Sequence, residues 1–178
     1  FSDALHVSVH PDPNKACGPD EAPTPLPDSA GIPQSAVDEV VLLVQNDWSS
    51  CERILRAHGA ELACVIMELE SGAGGLVALD REFVRRLRAL TRELGIVLIF
   101  DETISLRADY RGLQGVYEVE PDLTVMGKMI GGGMPLGAVG GSATVMRELD
   151  EGVSISGTHH GHKLALTAGA ACMNQMTQ

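Results

Sequence analysis

The sequence predicts an α/β fold, a mainly parallel sheet with flanking helices, on three observations. Residues 63–67 (Ala63-Cys64-Val65-Ile66-Met67) and 96–100 (Ile96-Val97-Leu98-Ile99-Phe100) are unbroken apolar runs of strand length, the pattern of parallel strands covered on both faces. Between them Phe83, Leu87, Leu90 and Leu94 recur at helical spacing, as the apolar stripe of a helix packed on a sheet does. Each apolar run gives way to a carboxylate, Glu68 and Asp101. Strand, helix and strand with short links make a βαβ unit, whose crossover is expected to be right-handed.

The elements follow in chain order. From Pro11 to Pro33 there are seven prolines among Asp, Gly and Ser. Proline fixes φ and removes a donor, so residues 11–33 are expected to form a long irregular surface loop. Ser49-Ser50-Cys51-Glu52 fits a capping box in which Ser49 and Glu52 each satisfy a free N–H, with a helix running to His58 and stopping at Gly59. A glycine turn, Gly72-Ala73-Gly74-Gly75, follows the first strand. Asp80 is placed to cap the helix bearing the apolar stripe, and Gly95 to end it. Two shorter strands are expected at residues 123–126 and 136–140. A helix should start at Ser142, and an alanine-rich one should run from about His162 to the end. No internal repeat is present, and residues 1–178 read as one domain. The first residue is not Met and the last helix lacks a terminating cap, so the chain reads as the middle of a longer sequence.

Composition narrows the functional classes. With 178 residues and 44% hydrophobic content, the chain can bury a core and does not belong to the disordered class. Aromatics make up only 3%, so that core must rest on Leu, Val, Ile, Ala and Met. The net charge of −11 is the reverse of what phosphate-backbone binding needs, and no nucleic-acid partner is expected. No apolar run is long enough to cross a bilayer and no basic leader opens the chain, so no membrane association is expected. Cys17, Cys51, Cys64 and Cys172 are far apart without a CxxC pair, which predicts reduced thiols in a cytoplasmic protein rather than a disulfide framework.

Ligands of open α/β sheets gather beyond the carboxyl ends of the strands, and two reactive positions fall there, Asp101 and Lys128. A carboxylate after five apolar residues needs a cationic or hydrogen-bonding partner. Lys128 is one of only three lysines, with Lys15 and Lys163, and sits between an apolar strand and Gly131-Gly132-Gly133. Desolvation there would favour the free amine, the form that attacks an aldehyde, and the glycines would let backbone approach a planar ligand. Taken singly, Asp101 could be a helix cap and Lys128 an edge residue whose stem covers apolar surface; together with the glycine tract they point to a site.

Rival motifs fail on particular residues. Asp101-Glu102 after an apolar strand and Gly127-Lys128 echo a phosphate-binding-loop ATPase. But Met129 stands where a magnesium-binding hydroxyl is required, and no glycine lies five residues before Gly127. A dinucleotide fingerprint begun at Gly131 and Gly133 puts Leu136 at its third glycine. His159-His160-Gly161-His162 has no carboxylate or Cys at ligand spacing nearby, and no metal is expected.

Three blocks, Leu98-Ile99-Phe100-Asp101-Glu102, Pro121-Asp122-Leu123-Thr124, and Gly127-Lys128-Met129-Ile130-Gly131-Gly132-Gly133-Met134-Pro135-Leu136-Gly137-Ala138, resemble class III aminotransferases in content and order. The wording is most similar to the glutamate-1-semialdehyde 2,1-aminomutase branch. Weaker echoes lie at Asn46-Asp47, at Glu68 and at Gly157-Thr158. The resemblance implies the central part of the large domain of a fold-type I pyridoxal-phosphate enzyme, with the phosphate cup before Phe1 and the small domain after Gln178 outside the chain. It implies pyridoxal 5'-phosphate as cofactor, an amino acid or amino-aldehyde as small-molecule substrate, and a homodimer. Lys128 matches the Schiff-base lysine, which also shuttles the proton between substrate and cofactor carbons. Asp101 matches the aspartate on the pyridinium nitrogen. Thr158, preceded by Gly157, matches a threonine that reaches the cofactor phosphate of the neighbouring subunit. Thr103 stands where the family usually has Val on the ring face. Ser105-Leu106-Arg107 is a shortened form of the segment before a family arginine, and His159-His160-Gly161-His162-Lys163 replaces the usual residues after the threonine. A second reading is a truncated or degenerate, non-catalytic module with a structural or dimerisation role.

Overall fold

The computed structural model describes residues 6–9, 12, 14, 15, 17–150 and 152–176. Residues 17–33 contain no helix, and their one ladder contact is the isolated bridge Val7–Pro27, as expected of a proline-rich loop; Pro11 and Pro13 lie outside the described residues. A short helix, α1 (Gln34–Asp38), follows. The next helix, α2 (Trp48–His58), begins one residue before the expected box. Its cap is Asp47, whose Oδ1 accepts from Ser50 N at 3.1 Å, while Glu52 pairs instead with Arg56. A carboxylate is as good an acceptor here as a serine hydroxyl, and its charge also suits the helix N-terminus.

Then come β1 (Cys64–Met67), the two-residue strands β2 (Glu70–Ser71) and β3 (Val77–Ala78) around the glycine turn, and α3 (Arg81–Leu94). Asp80 caps α3 through Glu82 N and Phe83 N, and Gly95, at φ +72°, ends it in the left-handed conformation. Beyond lie β4 (Val97–Asp101), α4 (Gly112–Tyr117), β5 (Leu123–Met126), β6 (Ala138–Gly141), α5 (Ala143–Met146) and α6 (Lys163–Met173). Helix α6 ends at Met173 with Asn174 as its cap rather than running to the chain end; asparagine's amide competes for backbone partners and favours caps over helix interiors.

The sheet order is β1-β4-β5-β6. β1, β4 and β5 are parallel, with Val65 opposite Leu98 and Asp101 opposite Val125, and β6 closes the sheet antiparallel. The period of two along β4 places Leu98 and Phe100 on the face covered by helices, both fully buried. There they meet Cys51 and Leu55 of α2, Phe83, Val84, Leu87 and Leu90 of α3, and Val65 of β1. Leu94 of the expected stripe is only partly buried.

The expectation that both faces of residues 63–67 are covered does not hold. Val65 is buried, but Cys64 and Ile66 are exposed, Ile66 at 48%. β1 is an edge strand, and on that side it lines an apolar cleft of about 460 Å³ with Val41, Leu43 and Val7. Neither Asp101 nor Lys128 belongs to this cleft.

Candidate active site

Two features of β4 and β5 bring the reactive residues together. The strands are adjacent and parallel, so their carboxyl ends open on the same edge of the sheet. Asp101 ends β4 on the face opposite Leu98 and Phe100 and is half-buried. Lys128 stands two residues past Met126, where β5 gives way through Gly127 to a 3-10 turn at Lys128–Gly131.

Thr103 joins the two. Its backbone N–H donates to Asp101 Oδ1 at 2.9 Å, and its Oγ1 accepts from Lys128 Nζ at 3.4 Å. Among the described residues no hydrogen bond engages Asp101 Oδ2, so one carboxylate oxygen is fixed and the other is free to receive a donor. Lys128 is exposed, and the desolvated setting expected for it is not found.

The Lys128 backbone is unusual. Its φ is +47°, the left-handed region that costs a non-glycine residue on the order of 1–2 kcal/mol. Such conformations persist where surrounding structure over-determines them, often at functional sites. Here the buttress is α6. Cys172 Sγ donates to Met129 O at 3.4 Å. A Cβ at Gly132 would lie 2.6 Å from Ala168 O, and one at Gly169 would collide with Ile130 O. Two glycines therefore let α6 and the lysine turn meet backbone to backbone.

Glu102, next to Asp101, points the other way and is fully buried. It accepts from Leu113 N and Gln114 N at 2.7 Å each and from Ser105 Oγ at 3.0 Å, which ties the segment after β4 to the start of α4. Behind the site, Asp122 at the start of β5 accepts from Arg88 Nη1 and Nη2 at 2.6 and 2.7 Å and from Leu98 N at 2.8 Å. The Arg88 guanidinium holds the Asp122 carboxyl below the usual carboxylate range. Sequence reasoning missed both roles. The period-two pattern continued from Phe100 was the available signal for Glu102, and the position of Arg88, four residues from buried Val84, was the signal for the other.

The remaining expected residues lie apart. Gly157 and Thr158 sit in an exposed turn closed by His160 N donating to Gly157 O at 2.9 Å, and share no hydrogen bond with Asp101, Thr103 or Lys128 among the described residues. His162 caps α6, its Nδ1 accepting from Ala165 N at 3.2 Å. Among the described residues no group of three His, Cys, Asp or Glu is placed to hold a metal ion, and no helix is long and apolar enough to cross a membrane. For pyridoxal phosphate the donor chemistry of the inner residues fits: an accessible primary amine and a carboxylate with one free oxygen, linked by a single residue.

Residues 22–178 match the model of the class III aminotransferases. The chain is 41% identical over 156 residues to a glutamate-1-semialdehyde 2,1-aminomutase of Thermodesulfovibrio yellowstonii, an alignment covering 86% of this chain and 36% of that protein. Among solved structures it resembles an omega-transaminase from Sphaerobacter thermophilus, with TM-score 0.92 and 42% identity, covering 99% of this chain and 41% of the other. It also resembles a transaminase solved with PLP bound, with TM-score 0.88 and 29% identity over 99% of this chain and 41% of that one. The chain thus spans little more than a third of the length of the curated relatives it matches.

Proposed function

The chain belongs to the class III aminotransferase family, and on that premise we propose that it is the lysine-bearing part of a pyridoxal-phosphate-dependent aminotransferase or aminomutase acting on an amino acid or amino-aldehyde. The observation that carries the proposal is the chain of contacts from Asp101 through Thr103 to Lys128 at the carboxyl ends of β4 and β5. Pyridoxal phosphate, when bound, supplies an aldehyde for amine capture and a ring that takes up an electron pair from the substrate carbon.

Lys128 Nζ would hold the cofactor and would also be the base that carries a proton between two carbons. The free Asp101 Oδ2 would accept from the ring nitrogen and would favour its protonated form. Of the glycines after Lys128, Gly131 packs on Leu136 and Gly132 on α6, while a Cβ on Gly133 would meet nothing within 4 Å. Gly157 and Thr158 take a phosphate in this reading. Among the described residues neither hydrogen-bonds to the Lys128 group, and by the family resemblance the phosphate they would take belongs to the neighbouring subunit of a homodimer. The four free cysteines accord with a reducing, cytoplasmic setting.

The test is covalent trapping. Pyridoxal phosphate is added, the yellow band is followed, borohydride is applied and the labelled peptide is mapped. Label on Lys128, lost in Lys128→Ala, is the expected outcome, and Lys15 and Lys163 serve as controls within the molecule. The second reading, a non-catalytic module, is favoured by the open setting of Lys128. A folded protein that gives no band, or label spread over Lys15 and Lys163, decides for it.

A further inference from the structure

Resting on that reading, the geometry points to the Thr103 hydroxyl as a positioning group for Lys128: it tethers the amine on the Asp101 side. Thr103 stands between the two reactive residues. It follows Asp101-Glu102 in the turn after β4 and touches both halves of the site by different atoms. The backbone N–H goes to Asp101 Oδ1 at 2.9 Å, and the side-chain oxygen receives Lys128 Nζ at 3.4 Å. The methyl group is turned towards the lysine turn as well, since a Cβ on Gly127 would lie 3.3 Å from Thr103 Cγ2.

A lysine side chain carries four rotatable carbons and a large rotamer entropy. Lys128 is exposed and makes no other hydrogen bond or ion pair through Nζ among the described residues. The Thr103 hydroxyl is therefore the one protein group that selects among its rotamers by a polar contact. An amine held by an acceptor must first leave it before it can turn towards another electrophile. The hydroxyl thus has two separable effects: it directs Nζ towards the cofactor position beside Asp101, and it restrains the amine's reactivity towards anything else. A valine at this position keeps the methyl contact with Gly127 and the backbone link to Asp101 but has neither effect.

The test uses Thr103→Val, which deletes only the hydroxyl, and Thr103→Ser, which keeps it and removes the methyl. Two readouts are taken on the intact protein. The first needs no cofactor: competitive trace acetylation of Lys128, measured relative to Lys15 and Lys163 in the same molecule. The second is the affinity for pyridoxal phosphate, read from the visible band and confirmed by borohydride trapping.

Thr103→Val is expected to raise the relative acetylation of Lys128 about 2- to 5-fold while weakening cofactor capture about 3- to 10-fold, in line with the loss of one modest hydrogen bond. Thr103→Ser is expected to restore both towards the parent values. A purely structural role would move the two readouts in the same direction, or would be relieved by Val and not by Ser, and either result overturns the proposal. Parent protein that traps on Lys128, with a valine variant indistinguishable from it in both readouts, overturns the Thr103 role and leaves the cofactor reading intact. Parent protein that never traps on Lys128 overturns both.

Discussion

Asp122→Ala tests whether the floor of the site is held electrostatically. Asp122 receives a two-pronged contact from Arg88 and the backbone N–H of Leu98 in β4, so one carboxylate joins α3, β4 and β5. Its removal strands a guanidinium that is only 9% exposed and leaves the Leu98 N–H without its acceptor. Breaking a fully buried pair costs about 3–5 kcal/mol, while an exposed pair is worth about 0–1 kcal/mol. The Asp122 side chain is 22% exposed, which places the expected cost at ~2–3 kcal/mol, between those limits. For a chain of this size that is a fall in Tm of roughly 4–12 °C. Asp122→Asn, which keeps an acceptor for Leu98 N, should lose roughly half as much.

Urea unfolding of the parent, Asp122→Ala, Arg88→Met and the double variant gives the coupling directly. The double variant should lose less than the sum of the single ones by at least ~1.5 kcal/mol, because the stranded charge is gone. The pH dependence carries the same information. The folded carboxyl is held below its ordinary range, so its contribution is complete above that range and is lost as pH falls through the depressed folded value. The alanine variant should lack that part of the acid sensitivity. A cost below ~1 kcal/mol for Asp122→Ala together with zero coupling would refute the reasoning.

Two further outcomes follow from the packing. Gly169→Ala places a methyl against Ile130 O and should push α6 off the lysine turn, lowering pyridoxal-phosphate retention at least several-fold with little change in far-UV circular dichroism; unchanged retention would remove α6 as the buttress of Lys128. Burial pushes the Cys51 thiol up to about 11, so with a thiol reagent near pH 8 exposed Cys17 should react at once and Cys51 only on unfolding; prompt native labelling of Cys51 would contradict its place in the core.

The elements that local chemistry dictates were legible before any coordinates. Asp80 and Gly95 bound α3 because a side-chain acceptor and a left-handed glycine act within one helical turn. The apolar runs at 96–100 and 123–126 declare themselves as strands by content that only a sheet interior absorbs, the first found one residue later at Val97–Asp101. The apolar run at 63–67 read the same way, yet one of its faces is open, because exposure depends on what lies beside a strand and not on its own residues. The choice of Asp47 over Ser49 as cap was equally undecided, since both were suitable acceptors and only the path of the chain selected one.

The same division holds for the site. Sequence position singled out Asp101 and Lys128 as candidates, since a carboxylate and a rare lysine fall together at strand ends beside a glycine tract. That the two are joined through Thr103, that Lys128 takes a left-handed backbone, and that Glu102 turns inward to fasten α4 are matters of the tertiary structure. The Glu102–Leu113 and Thr103–Lys128 contacts link residues 11 and 25 positions apart in the chain, and the second exists because parallel pairing sets β4 beside β5. Patterns of a few residues fix caps and strands, but meetings across such distances are fixed by register.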